Sequence, residues 1–131
     1  MGGVPVPKEG EIMTCGACTI LLVEDEFLIA LDVQARLQEA GYTVLDPVAS
    51  VEEAMSALDR AEVCAAILDM NIRGSTSFPI AERLKADGTP FIFLSGNDTY
   101  RLQEKFADHM VLTKPIDYRQ LIGKIDEICG A

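Results

Sequence analysis

Five short apolar runs, each bounded by polar residues, recur along the chain at Thr19–Val23, Thr43–Val48, Cys64–Leu68, Pro90–Leu94 and Met110–Leu112. Continuous apolar runs of this length mark strands covered on both faces, as in a parallel sheet. Between them the apolar positions fall at helical spacing. Ile29, Val33, Leu37 and Ala40 form one stripe with Asp32, Arg36 and Glu39 opposite, and Gly41 is placed to end that helix. Ser50 and Glu53 predict a capping box that opens a second helix. Ile80, Ala81 and Leu84 mark a third, closed by Gly88 and Pro90. Thr99 to Asp108 carries a weak helical pattern with few apolar residues, Leu102 and Phe106. Asp117 can cap a last helix whose inner face is Leu121, Ile122, Ile125 and Cys129. Five βα units in succession predict an α/β fold, a parallel sheet with helices on both faces.

Ligands of such sheets sit at the carboxyl ends of the strands, and those ends carry the chemistry. The first run ends in Glu24 and Asp25, the third in Asp69, Met70 and Asn71, the fourth in Ser95 and Gly96, and the fifth in Lys114 and Pro115. Three carboxylates, a hydroxyl and a lysine are thereby expected at one edge. Clustered carboxylates repel one another unless a cation is present. Oxygen ligands of this kind suit Mg²⁺, and a carboxylate can attack phosphorus while a lysine and a hydroxyl stabilise the transferred oxygens. Taken singly, Asp25 or Ser95 is as well read as a helix cap or a solvated loop residue, and Glu24 and Glu26 as accessory acids. The combination is competent for phosphoryl transfer to an aspartate.

Composition narrows the classes. The 131 residues fit one domain, and 49% hydrophobic with 24% charged residues is a globular balance. The net charge of −10 would repel phosphate backbones, so no nucleic-acid partner is expected. No apolar run reaches the ~20 residues of a membrane span, and residues 1–18 lack the basic and apolar regions of a secretory signal. Residues 1–12 are rich in Gly, Pro and charge. A flexible extension over 1–18 is expected, Met13 being an alternative start, with one domain over 19–131. Four cysteines without an export signal predict reduced thiols in the cytoplasm. Cys15-Gly16-Ala17-Cys18 has metal or redox spacing but no second pair, so incidental thiols are the better reading. His109 is read as a surface residue and the five methionines as filler.

The stretches Ile20-Leu21-Leu22-Val23-Glu24-Asp25-Glu26, Ile67-Leu68-Asp69-Met70-Asn71, Phe93-Leu94-Ser95-Gly96 and Thr113-Lys114-Pro115, in that order, resemble the receiver domain of two-component response regulators. The resemblance covers roughly Thr19 to Cys129. It implies a flavodoxin-like (βα)5 fold, a doubly wound five-stranded parallel sheet of order 2-1-3-4-5. It implies that Asp69 accepts a phosphoryl group, and that Glu24, Asp25, Asp69 and the backbone carbonyl of Asn71 hold Mg²⁺. Ser95 and Lys114 would bind the phosphoryl oxygens, Asn71 and Asn97 would tune the phosphoaspartate's lifetime, and the Lys114–Pro115 peptide would be cis. The implied donor is a histidine kinase or histidine phosphotransferase. The implied product is a conformational signal to a downstream protein, with a homodimer possible. Such a domain assists its own phosphorylation and is not a turnover enzyme.

Two departures stand out. The family's aromatic switch position is Val111, and only 18 residues, 96 to 113, separate Ser95 from Lys114. The second departure, with Pro90-Phe91-Ile92-Phe93-Leu94-Ser95-Gly96, Asp69-Met70-Asn71-Ile72-Arg73-Gly74 and Ser77-Phe78-Pro79, resembles an alphaproteobacterial receiver subgroup with a short fourth helix. The chain ends soon after the last helix, so a stand-alone regulator or relay is expected, unless the sequence is excised from a longer one. Two rival functions remain. A haloacid-dehalogenase-type phosphatase would want a second acid where Asn71 stands. An interaction module that works unphosphorylated is favoured by Val111.

Overall fold

The computed structural model describes residues 19–96 and 110–129. In chain order the elements are β1 (Thr19–Val23), α1 (Phe27–Glu39), β2 (Thr43–Val44), α2 (Val51–Arg60), β3 (Ala65–Asp69), β4 (Asn71–Ile72), β5 (Ser75–Thr76), α3 (Phe78–Asp87), β6 (Phe91–Ser95), β7 (Met110–Thr113) and α4 (Tyr118–Ile128). Five strands form one parallel sheet in the order β2-β1-β3-β6-β7, and β4 with β5 makes a separate hairpin. This is the flavodoxin-like order expected for five βα units. The expected fourth helix, Thr99 to Asp108, lies outside the described residues, as do Asn97, His109, Cys15 and Cys18.

Alternation along each strand divides the core in two. Ile20 and Leu22, Ala65 and Ile67, and Ile92 and Leu94 face α1 and α4, where Val33, Leu37, Leu121 and Ile125 meet them. Leu21 and Val23, Ala66 and Leu68, and Phe91 and Phe93 face the other way, onto Ala54, Ala57, Ile80 and Leu84 of α2 and α3. Phe93 is fully buried and meets Phe78 and Phe91 edge to face, with centroids 5.8 and 5.4 Å away.

The helix ends follow local chemistry. Ser50 Oγ accepts the Glu53 N–H at 3.1 Å, while the Glu53 carboxylate accepts the Ala49 N–H at 2.9 Å, so the expected capping box closes one residue early. Asp117 accepts the N–H groups of Arg119 and Gln120. Gly88, at φ 77°, ends α3 in the left-handed conformation that glycine adopts without strain. Ser50→Ala should cost about 1 kcal/mol, read as a lower urea midpoint with an unchanged slope.

Two expectations are corrected. The run Thr43–Val48 is not one strand: β2 stops at Val44, and Val48 touches β1 again through a bridge to Val23. Leu45 N–H reaches the Ile20 carbonyl and Val48 N–H the Leu22 carbonyl, so three residues advance against two. Pro47 has no N–H for the ladder, and the extra residue is thrown out as a bulge. The four cysteines are not all thiols. Cys64 is disulfide-bonded, with its partner outside the described residues, and Cys129 remains a thiol. The lack of an export signal bears on compartment and carries no geometry. Cys64 donates its N–H to the Thr19 carbonyl at 2.8 Å and so lies beside the start of β1.

Candidate functional site

Strand parity explains why distant residues meet. Glu24 follows Ile20 and Leu22, Asp69 follows Ala65 and Ile67, and Lys114 follows Leu112, all on the face turned to α1 and α4. Carried one step past the apolar stretch, that face delivers two acids and a lysine to one point. Lys114 Nζ donates to Asp69 Oδ2 at 3.1 Å and lies 3.4 Å from Glu24 Oε1. Ser95 closes β6 with the opposite parity, fully buried, and its carbonyl accepts the Lys114 N–H at 2.8 Å. The Lys114–Pro115 peptide is cis.

The carboxylates differ in how they are held. Asp69 Oδ1 accepts the Asn71 N–H at 3.3 Å, and Glu24 Oε2 accepts the Glu26 N–H at 3.1 Å. Asp25 Oδ2 accepts the N–H of Arg73, at 2.8 Å, from the hairpin turn. Arg73 was not singled out as a site residue in the sequence. It acts through a backbone atom, and the only hint was Gly74, which marks a turn.

Burial leaves Glu24 2% exposed and pushes its carboxyl up to about 7, the neighbouring Asp69 carboxylate adding to the rise. Its Oε1 is buried without a hydrogen bond. Lys114 is pulled down by burial, but the hydrogen bond and charge of Asp69, with Glu24 behind it, outweigh that and hold its ammonium above the usual range.

Carboxylate oxygens of Glu24, Asp25 and Asp69 lie within 4.8 Å of one another. Three carboxylates thus gather beside one ammonium, and one of their oxygens is buried without a hydrogen bond. A hard divalent cation answers both deficits, and an all-oxygen donor set is what Mg²⁺ takes. The residues present fit that ion.

Beside Lys114 runs an open groove of about 720 Å³, lined by Leu28, Leu31, Asp32, Pro115, Ile116 and Tyr118. Tyr118 donates to Asp32 at 2.6 Å and lies under the Arg36 guanidinium, 4.6 Å from the ring centroid. Burial and the Asp32 carboxylate raise its phenol to about 12. Leu28 and Leu31 in this groove are exposed, at 77% and 42%, and Phe27, 71% exposed, lies in a second hollow lined by Glu24, Asp25 and Leu31.

This arrangement of an acidic cluster, a strand-end aspartate and a cis Lys–Pro is matched at the level of the whole chain. Residues 20–126 match the family described as response regulator receiver domain. The chain belongs to that family. Among curated relatives, the regulatory protein VanR of Enterococcus faecium is 36% identical over 112 residues, covering 81% of this chain and 47% of its own. The response regulator PhoP of Pseudomonas aeruginosa is 27% identical over 115 residues, covering 83% and 50%. The chain spans about half the length of these relatives. Among solved structures, SdrG from Sphingomonas melonis Fr1 shares 33% identity at a TM-score of 0.76, covering 88% of this chain and 98% of its own. The receiver domain of PhyR from Erythrobacter litoralis superposes at a TM-score of 0.77 with 20% identity, covering 86% and 90%. Among the described residues of this receiver domain no helix is long and apolar enough to cross a membrane.

Proposed function

We propose that this receiver domain accepts a phosphoryl group on Asp69 from a histidine kinase or a histidine phosphotransfer protein. The observation that carries the reading is Asp69 Oδ2 held 3.1 Å from Lys114 Nζ beside Glu24 Oε1, which is buried and makes no hydrogen bond. Asp69 supplies the nucleophilic oxygen. Its bond to phosphorus forms as the bond from phosphorus to the donor's imidazole nitrogen breaks, and the electron pair leaves with the imidazole. Glu24, Asp25, Asp69 and the Asn71 carbonyl would hold Mg²⁺, which when bound neutralises charge on the transferred oxygens. Lys114 would donate to those oxygens, and by the family resemblance the Ser95 hydroxyl would join it once the group has arrived. By the same resemblance, Asn71 and Asn97 would tune how long the phosphoaspartate lasts.

Phosphorylation replaces a single negative charge by a larger one beside the Lys114 ammonium. Rearrangement of Lys114 and Ser95 shifts a two-state equilibrium in β7, and a partner protein reads the shifted surface. Val111 replaces the family's aromatic in that path. It is half-buried against the face holding Phe91 and Phe93, so the signal travels by backbone and packing rather than by a ring flip. The exposed apolar side chains of Phe27, Leu28 and Leu31 beside the site offer the phosphodonor a surface to rest on. The likeness of Pro90–Gly96 and of Asp69–Gly74 to the short-fourth-helix subgroup supports placing the chain there, and the similarity to SdrG accords with it. A cytoplasmic setting follows from a cytoplasmic phosphodonor.

The test is intact-mass spectrometry after incubation with acetyl phosphate and Mg²⁺. One phosphoryl adduct per chain is expected, abolished by a chelator. No adduct, even at short times, would turn the reading to a receiver fold that binds its partner unphosphorylated, as Val111 favours.

A further inference from the structure

The hairpin of β4 and β5 stands outside the main sheet, and its two-residue turn is Arg73–Gly74. Both turn residues have positive φ, 51° and 80°, as a type I′ turn demands. Glycine takes that conformation freely; arginine does not. The unusual backbone has a visible result. It aims the Arg73 N–H at Asp25, 48 positions away in sequence, and the bond at 2.8 Å is a short one for an amide donor. The same hairpin begins at Asn71, which is paired with Thr76 and donates its own N–H to Asp69. One small rigid unit therefore touches two of the three clustered carboxylates.

Resting on the reading of Asp25 as a carboxylate that holds Mg²⁺, we propose that Arg73 is a positioning residue for the metal site. Its backbone N–H clasps Asp25, and the left-handed turn exists to aim that N–H. Asp25 follows the end of β1 and would otherwise sample several rotamers. The clasp orders one carboxylate oxygen before the cation arrives, as outer-shell partners of metal ligands do. The guanidinium has no part in this, so what position 73 requires is an N–H and a positive φ.

Arg73→Pro removes the N–H and forbids the positive φ. Mg²⁺ affinity of the unphosphorylated protein, measured by calorimetric titration, should fall about tenfold. Arg73→Gly, which restores the N–H and accepts the turn, should recover it. In an Asp25→Ala background, Arg73→Pro should cost nothing further, because its effect runs through Asp25. A second readout needs no metal: the amide of residue 73 should exchange slowly in the wild-type chain and rapidly in Asp25→Ala. A wild-type chain that binds Mg²⁺ while Arg73→Pro binds it equally well overturns the clasp alone. So does an equal loss with and without Asp25, or a residue 73 amide that exchanges as fast in the wild type as in Asp25→Ala. A wild-type chain that binds no Mg²⁺ overturns both the clasp's role and the metal reading beneath it.

Discussion

Asp69→Asn is expected to take up no phosphoryl group from acetyl phosphate under conditions that label the wild-type chain completely. The amide nitrogen and oxygen keep the shape of the carboxylate but not its nucleophilic charge. The substitution also removes the Lys114 partner with the shorter contact, 3.1 Å against 3.4 Å for Glu24. Because Asp69 adds to the rise in the Glu24 carboxyl, its neutralisation should let that group ionise more easily. The fold should survive, since Asp69 closes β3 beyond the packed stretch Ala65–Leu68. Intact mass gives the first outcome and urea unfolding the second. A phosphoryl adduct of undiminished stoichiometry on the variant would place the acceptor elsewhere and end the reading of Asp69.

The second large effect is on stability against pH without metal. Folding raises the Glu24 carboxyl from its ordinary 4.5 to about 7, chiefly by burial, with Asp69 adding to it. The folded state therefore binds this proton more tightly than the unfolded chain. That contribution is fully present below about pH 4.5 and is lost as pH rises through about 7. At 1.36 kcal/mol per pKa unit the loss is on the order of 3 kcal/mol. Lys114 is raised as well, but it stays protonated throughout this window and does not bend the curve. The measurement is the unfolding free energy of the wild-type chain minus that of Glu24→Gln, in chelator, from pH 4.5 to 8. The difference should fall across the window and then level. Added Mg²⁺ should restore more stability at pH 8 than at pH 5, where it must compete with the proton. A difference that stays flat would mean that Glu24 is solvated rather than buried.

What could be read from the sequence divides by physical kind. The central strands and the helix caps were legible because their signals are local: Ser50 with Glu53, Asp117 and Gly88 each act on a neighbouring backbone. The meeting of Glu24, Asp69 and Lys114 was legible because strand ends in a parallel sheet converge whatever their separation in sequence. The hairpin escaped because two-residue strands have no period to detect. The Arg73 clasp escaped because a backbone N–H leaves no trace in residue type. The bulge in the second run was announced by Pro47, whose missing donor was outvoted by the apolar residues around it. The Cys64 disulfide is a tertiary contact, which no spacing within the chain reveals.

The broken second strand also bears on how copies of the chain can meet. An open sheet invites a further strand wherever its outermost member presents a long, regular row of free amides and carbonyls. Here that member is only two residues long and gives way to an exposed Asp46 and then Pro47. An incoming strand would find two rungs, a charge and a residue with nothing to donate. The margin of the sheet at β2 is thus guarded against cross-chain β-pairing and the aggregation that follows from it, and the four-residue strand β7 is left as the sheet's longer open edge.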